Sequence, residues 1–224
     1  MEDYLSEREK WEQVVAWLKE NGPWIVAGVA IAALGVSGWR WWQARVNQAD
    51  LDAAARYQQV LTAFDRGDRA HGLSLLDDLQ HAHPRSPYVD QANLAAARLF
   101  VDSNELDQAG QRLSAVMGHS SDRELAAIAR VRLARVQIAE GKPDAALATL
   151  GTPEATAFAA RYHEVRGDAY YAKGDKAAAL SEYQAARAAA GTAVAQNDAL
   201  ALKIQDLMSE PTAAHRPAAS GQAR

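Results

Sequence analysis

Six histidines, 28 acidic side chains, 24 Lys and Arg and no cysteine are the groups with which this 224-residue chain could do chemistry. The missing cysteine removes thiolate nucleophiles, disulfides and thiolate metal sites together. Among His71, His81, His83, His119, His163 and His215, only His81 and His83 form a close pair. On a helix such residues point apart. In a loop before Pro84 they could share a metal, but no third ligand is placed beside them, so a solvated loop is expected. The carboxylates are scattered over polar positions, with no two spaced for acid–base work. Gly141-Lys142-Pro143 reads as a turn, because nothing Gly-rich precedes it as a phosphate loop requires. No catalytic residue, metal or cofactor is expected, and the reading is non-enzymatic. The net charge of −4, without clustered Lys and Arg, argues against nucleic acid.

Contact chemistry is the remaining option, and it depends on a repeat. Gly67-Asp68, Asn104-Glu105, Gly141-Lys142 and Gly174-Asp175 pair a turn residue with a charged one, at intervals of 37, 37 and 33. Five positions past each turn stands a small residue: Gly72, Ala109, Ala146 and Ala179. Four further on stands a bulky one: Leu76, Leu113, Leu150 and Tyr183. Small residues mark close helix crossings and bulky ones fill the gap to the next unit. The unit is therefore a helical hairpin of about 34 residues, repeated four times. Gly167, Tyr170, Gly174, Ala179, Tyr183 and Ala186 follow the tetratricopeptide pattern most fully. Gly118 to Arg123 lengthens one connection, and Leu200, Ile204 and Leu207 mark a closing helix over Val194 to Met208.

Aligning the units on their turns places Arg98, Arg135 and Asp168 in one slot of the first helices, which line the concave face of such a stack. Leu94 with Val131, and Val101 with Ile138 and Tyr171, fill the flanking slots. This ladder is the candidate groove for an extended or helical polypeptide, with Arg forked onto carboxylates and apolar slots taking side chains. The competing reading pairs both arginines with acidic neighbours and buries Val131.

One stretch reads as a membrane span, against the alternative of a buried core helix, which rarely runs this long without a polar face. From Asn21 to Trp39 there are 19 residues without a charge, which as a helix span roughly 28 Å, close to the hydrocarbon thickness of a bilayer. Trp24 stands at one end and Trp39, Trp41 and Trp42 at the other, where indoles sit at membrane interfaces. The preceding 20 residues hold six acidic and three basic side chains, and no small-x-small site follows, so a retained anchor is expected over a cleaved signal. Gly28, Ala32, Gly35 and Trp39 share one helical face that a partner helix could approach closely. Ahead of the span, Trp11, Val14, Val15 and Leu18 form one stripe of a short interfacial helix, which Asn21-Gly22-Pro23 should stop. Ser6 and Glu9 make a capping box for it. The polar run from Val46 to Ala55 could carry the span onward as one helix. Flanking positive charges balance and leave orientation open.

The expected fold is all-α, a single transmembrane helix followed by an α-solenoid of tetratricopeptide-like hairpins. Its parts are an amphipathic segment 1–21, the span 22–42, a repeat domain 43–210 and a disordered tail 211–224 rich in Ala, Pro and polar residues.

The order of parts, Glu20-Asn21-Gly22 and Gly38-Trp39-Arg40-Trp41-Trp42 around the span, and the strings Asn104-Glu-Leu106, Leu133-Ala-Arg-Val-Gln137, Asp144-Ala-Ala-Leu147, Arg166-Gly-Asp168 and Lys173-Gly-Asp-Lys176 resemble the YfgM family, ancillary subunits of the SecYEG translocon in Gram-negative bacteria. The likeness runs from Met1 to Met208. It implies a single-pass inner-membrane protein with a cytoplasmic N-terminus and a periplasmic repeat domain. The partners it implies are the translocon, a membrane-anchored periplasmic chaperone of the prolyl-isomerase-like type and newly exported polypeptides. It implies no catalytic residues. The alternative function is a tethered scaffold for cell-envelope or division complexes.

Overall fold

The computed structural model describes residues 7–152, 158–190 and 198–209. The capping-box Ser6, the segment 194–197 and the tail 211–224 lie outside them. Every regular element among the described residues is a helix. The chain divides into two units, Met1–Ala54 and Ala55–Arg224.

The first unit is one rod. Helix α1 runs Glu7–Asp65 and contains Pro23. The expected stop at Asn21-Gly22-Pro23 does not occur. A proline inside a helix removes one N–H donor, here the one that would meet the Lys19 carbonyl. Breaking the helix would free several backbone groups at the two new ends, so the loss of one bond is the smaller cost. Asn21 turns its side-chain amide back onto the Trp17 carbonyl at 2.9 Å, which keeps its polar group on the helix. The apolar window of α1 is unburied, and α1 is the one described helix long and apolar enough to cross a membrane. Arg45 stacks over the Trp41 ring at 4.7 Å.

The second unit begins with the end of α1, from Ala55 to Asp65. It continues through α2 (Arg69–Ala82), α3 (Pro87–Asp102), α4 (Leu106–His119), α5 (Arg123–Ala139), α6 (Pro143–Leu150), α7 (Ala159–Ala172), α8 (Lys176–Ala190) and α9 (Asp198–Ser209). The four repeat turns are built alike. Gly67, Gly141 and Gly174 have φ of 75°, 74° and 81°, and Asn104, the one non-glycine with positive φ among the described residues, has 59°. In each, the turn residue donates to the carbonyl three back and the next residue to the carbonyl five back. Gly67 bonds to Phe64 and Asp68 to Ala63, while Asn104 bonds to Val101 and Glu105 to Phe100. Gly141 with Lys142 and Gly174 with Asp175 repeat the pattern. This is the left-handed helix stop that glycine, and next asparagine, tolerate best.

Each turn sends the second helix back so that its small residue is buried: Gly72, Ala109, Ala146 and Ala179. One turn on, Leu76, Leu113, Leu150 and Tyr183 are buried too. Hairpin stacks on hairpin, α3 on α5 and α5 on α7 along one side, with α2, α4 and α6 each touching the next first helix. Val131, Ala134, Ala146, Leu150, Tyr162, Val165 and Ala169 form one core across α5, α6 and α7. Leu200 and Ile204 of α9 join Ala179, Tyr183 and Ala186 of α8 and close the stack, with Leu207 packed beside them.

Units are also tied at their turns by charge. Arg69, at the start of α2, holds Glu105, at the start of α4, through two hydrogen bonds and stacks over Phe100. The hydrogen bond from Arg69 holds the Glu105 carboxyl below its ordinary range. A depressed carboxylate contributes stability above the free-glutamate range and loses it as pH falls through its own lower range. Arg69→Gln is therefore expected to lower the thermal midpoint at neutral pH. The gap to wild type should close in acid, measured by circular dichroism on the full chain in detergent.

Candidate functional site

The first helices present their outward slots between α3 and α5. There the stack opens into a cleft of about 410 Å³. From α3 come Leu94, Ala97, Arg98 and Val101, and from α4 come Leu106 and Leu113. From α5 come Arg132, Arg135, Val136 and Ala139. Ala97 and Ala139 line it with methyl groups, which leave room between adjacent hairpins. The floor is apolar and the charged members of the wall are three arginines.

These arginines differ in what holds them. Arg98 sits 3.7 Å from Asp102, one turn along its own helix, and both are largely exposed. An exposed pair of that kind contributes little. Arg135 lies 3.8 Å from Glu164. Glu164 is buried, with two nearer cations, Arg161 at 3.2 Å and Lys203 at 3.3 Å, so its charge is compensated without Arg135. Among the described residues Arg132 has no ion-pair partner, and it lies one helical turn before Arg135 on the same side.

The ladder expected across three units is therefore divided. Leu94, Arg98, Val101 and Arg135 share the cleft. Val131 does not face a groove; it is buried in the core of α5, α6 and α7, and Ile138 packs against that core. Asp168 is taken up internally, accepting from Lys203 at 2.7 Å and from the Tyr183 hydroxyl at 2.8 Å. Burial first, and this bond second, hold the Tyr183 phenol far above its usual range, so it remains a donor. Tyr171 stays about half exposed beyond the cleft. Aligning turns finds equal slots, but not what α9 brings to them: Lys203 lies 35 residues from Asp168 in sequence. Two groups missed by that alignment, Arg132 and Glu164, carried weak signals. Arg132 is a second cation one turn from Arg135, and Glu164 is a carboxylate in the register slot held by Leu94 and Val131.

Among the described residues no group of three or more His, Asp and Glu is placed to hold a metal. His81 ends α2 with its ring nitrogen against the Asp77 carbonyl at 2.8 Å, and His83 is the residue that closes that helix. On α1, no atom lies near the positions where Gly28 and Gly35 would carry side chains, and Trp39 is exposed.

Residues 15–209 match the family model described as tetratricopeptide repeat-like domain, which includes the span as well as the stack. A protein of Escherichia coli named ancillary SecYEG translocon subunit is 34% identical over 185 residues, covering 83% of this chain and 89% of the relative. The chain belongs to the YfgM family. Another member, bearing the same name in Neisseria gonorrhoeae, is 32% identical over 82% of this chain and 88% of its own length. That of Haemophilus influenzae is 29% identical over 82% and 89%. No solved structure matches. For a YfgM-family chain, the cleft of α3, α4 and α5 is thus a feature of the repeat domain itself, formed wholly within the second unit.

Proposed function

We propose that this chain is a non-enzymatic, membrane-anchored adaptor of the SecYEG translocon. In this reading the span of α1 docks beside membrane helices of the translocon through Gly28, Ala32, Gly35 and Trp39. The N-terminus is cytoplasmic and the repeat domain periplasmic. That domain recruits a membrane-anchored prolyl-isomerase-like chaperone, newly exported polypeptides, or both. The slots of Leu94, Arg98, Val101 and Arg135 supply the contact. The observation that carries the reading is the match along span and stack together to relatives named as translocon subunits.

The span supports it physically. In lipid, helices associate by close packing rather than by apolar burial, and small residues let backbones approach. The double variant Gly28→Ile, Gly35→Ile fills that face with apolar bulk and should leave membrane insertion intact. Copurification of translocon subunits with the full chain from detergent-solubilised membranes should fall about tenfold, the equivalent of about 1.4 kcal/mol. Undiminished recovery of those subunits would remove the span from the interface. Absence of translocon subunits from the wild-type sample would overturn the adaptor reading.

A further inference from the structure

We propose that the cleft between α3, α4 and α5 docks a short acidic segment of a partner polypeptide, with one bulky apolar side chain seated in it and carboxylates on both flanks. This deepens the adaptor reading by naming what the repeat domain holds. It also narrows it, from a ladder along the concave face to one pit between two hairpins.

Three observations lead there. The pit is bounded. Beyond it Val131 is core and Asp168 is bonded to Lys203 and Tyr183, so the α7 end of the face offers no free slot in line with Arg135. The floor of Leu94, Ala97, Val101, Leu113, Val136 and Ala139 is apolar, and its 410 Å³ suits one aromatic or large aliphatic side chain with its backbone. The rim has one sign. Arg132 and Arg135 are neighbours on a helix face, where like charges repel, and no carboxylate lines the cleft. Arg98 closes the opposite wall with only an exposed partner. Carboxylates arriving on either side of the seated side chain would meet guanidinium groups from two helices, in the forked geometry that Arg favours.

The test uses the full chain in detergent and a fluorescein-labelled peptide with one phenylalanine flanked by two glutamates on each side, read by anisotropy. A peptide with lysines for the glutamates serves as comparison. The wild-type chain should bind the acidic peptide and not the basic one. Arg98→Glu, Arg132→Glu, Arg135→Glu together should weaken the acidic peptide by about a thousandfold, near tenfold for each charge-assisted contact, and should bind the basic peptide instead. That swap shows the variant is folded. Val101→Trp, at an exposed position of the cleft wall, should block the acidic peptide by covering the pit. Equal binding of the two peptides by wild type, undiminished acidic binding by the triple variant, or displacement of the peptide by phosphatidylglycerol micelles without a charge swap would overturn the proposal. None of these outcomes bears on translocon copurification, so the two readings fail separately.

Discussion

Gly167→Ala is expected to destabilise the repeat domain by about 2–4 kcal/mol, a large effect for one methyl group, because overpacking and a strained buried hydrogen bond act together. A Cβ at Gly167 would overlap Cδ1 and Cε1 of the Tyr183 ring. That ring cannot swing away freely. Tyr183 is buried, its hydroxyl donates to Asp168 at 2.8 Å, and Lys203 lies over its face at 5.4 Å. The other repeats show how the pair is matched. Seven residues before each turn stand Val60, Ala97, Ala134 and Gly167, and nine after it stand Leu76, Leu113, Leu150 and Tyr183. Only the unit with the aromatic residue has the glycine. Tyr183→Leu in the Gly167→Ala background is therefore expected to recover most of the loss. Urea unfolding of the full chain in detergent, followed by far-UV circular dichroism, measures both. A double variant no better than Gly167→Ala alone would show that the clash is not the cause.

Phe100→Ala is expected to cost about 3–5 kcal/mol, the usual range for deleting a buried aromatic ring. Phe100 is 2% exposed, the largest fully buried side chain in the described residues, and it also carries Arg69 stacked 4.6 Å above it. The loss should be local. In a stack each hairpin contacts only its neighbours, so stability is close to a sum of nearest-neighbour terms. Hydrogen exchange read by mass spectrometry should rise over α2, α3 and α4 in Phe100→Ala, and over α7, α8 and α9 in Gly167→Ala. The two substitutions are far apart with no shared partner, so their effects should add within about 0.5 kcal/mol. Uniform loosening from either change would contradict a stack of semi-independent units.

How far the sequence announced all this follows from the range of each interaction. The turns at Gly67, Asn104, Gly141 and Gly174 were legible because a left-handed stop is a local demand that few residues meet. The buried Leu76, Leu113, Leu150 and Tyr183 were legible from their fixed offset to those turns. The span was legible from nineteen uncharged residues. What misled was a local rule overruled by context. Asn21-Gly22-Pro23 reads as a stop, yet α1 continues through it, since an interrupted helix has more to lose than one hydrogen bond.

The site was half legible. Arg98 and Arg135 stood in equivalent slots, and the structure brings them together with Leu94 and Val101. Asp168 stood in the same slot but is drawn inward by Lys203 of α9, a contact that no spacing within the repeats encodes. Val131 shares its register with Leu94, but the two differ in what the next hairpin stacks against them. Register predicts a slot; the neighbour decides whether that slot lines a cleft or joins the core.

The adaptor account is tested most directly by photo-crosslinking in intact Gram-negative cells, with a benzophenone amino acid placed at Gly35 in the span and, separately, at Val101 in the cleft. The account predicts adducts with SecYEG subunits from Gly35. From Val101 it predicts adducts with a periplasmic chaperone or exported polypeptides, identified by mass spectrometry. Adducts from Gly35 with envelope or division proteins and none with the translocon would contradict it.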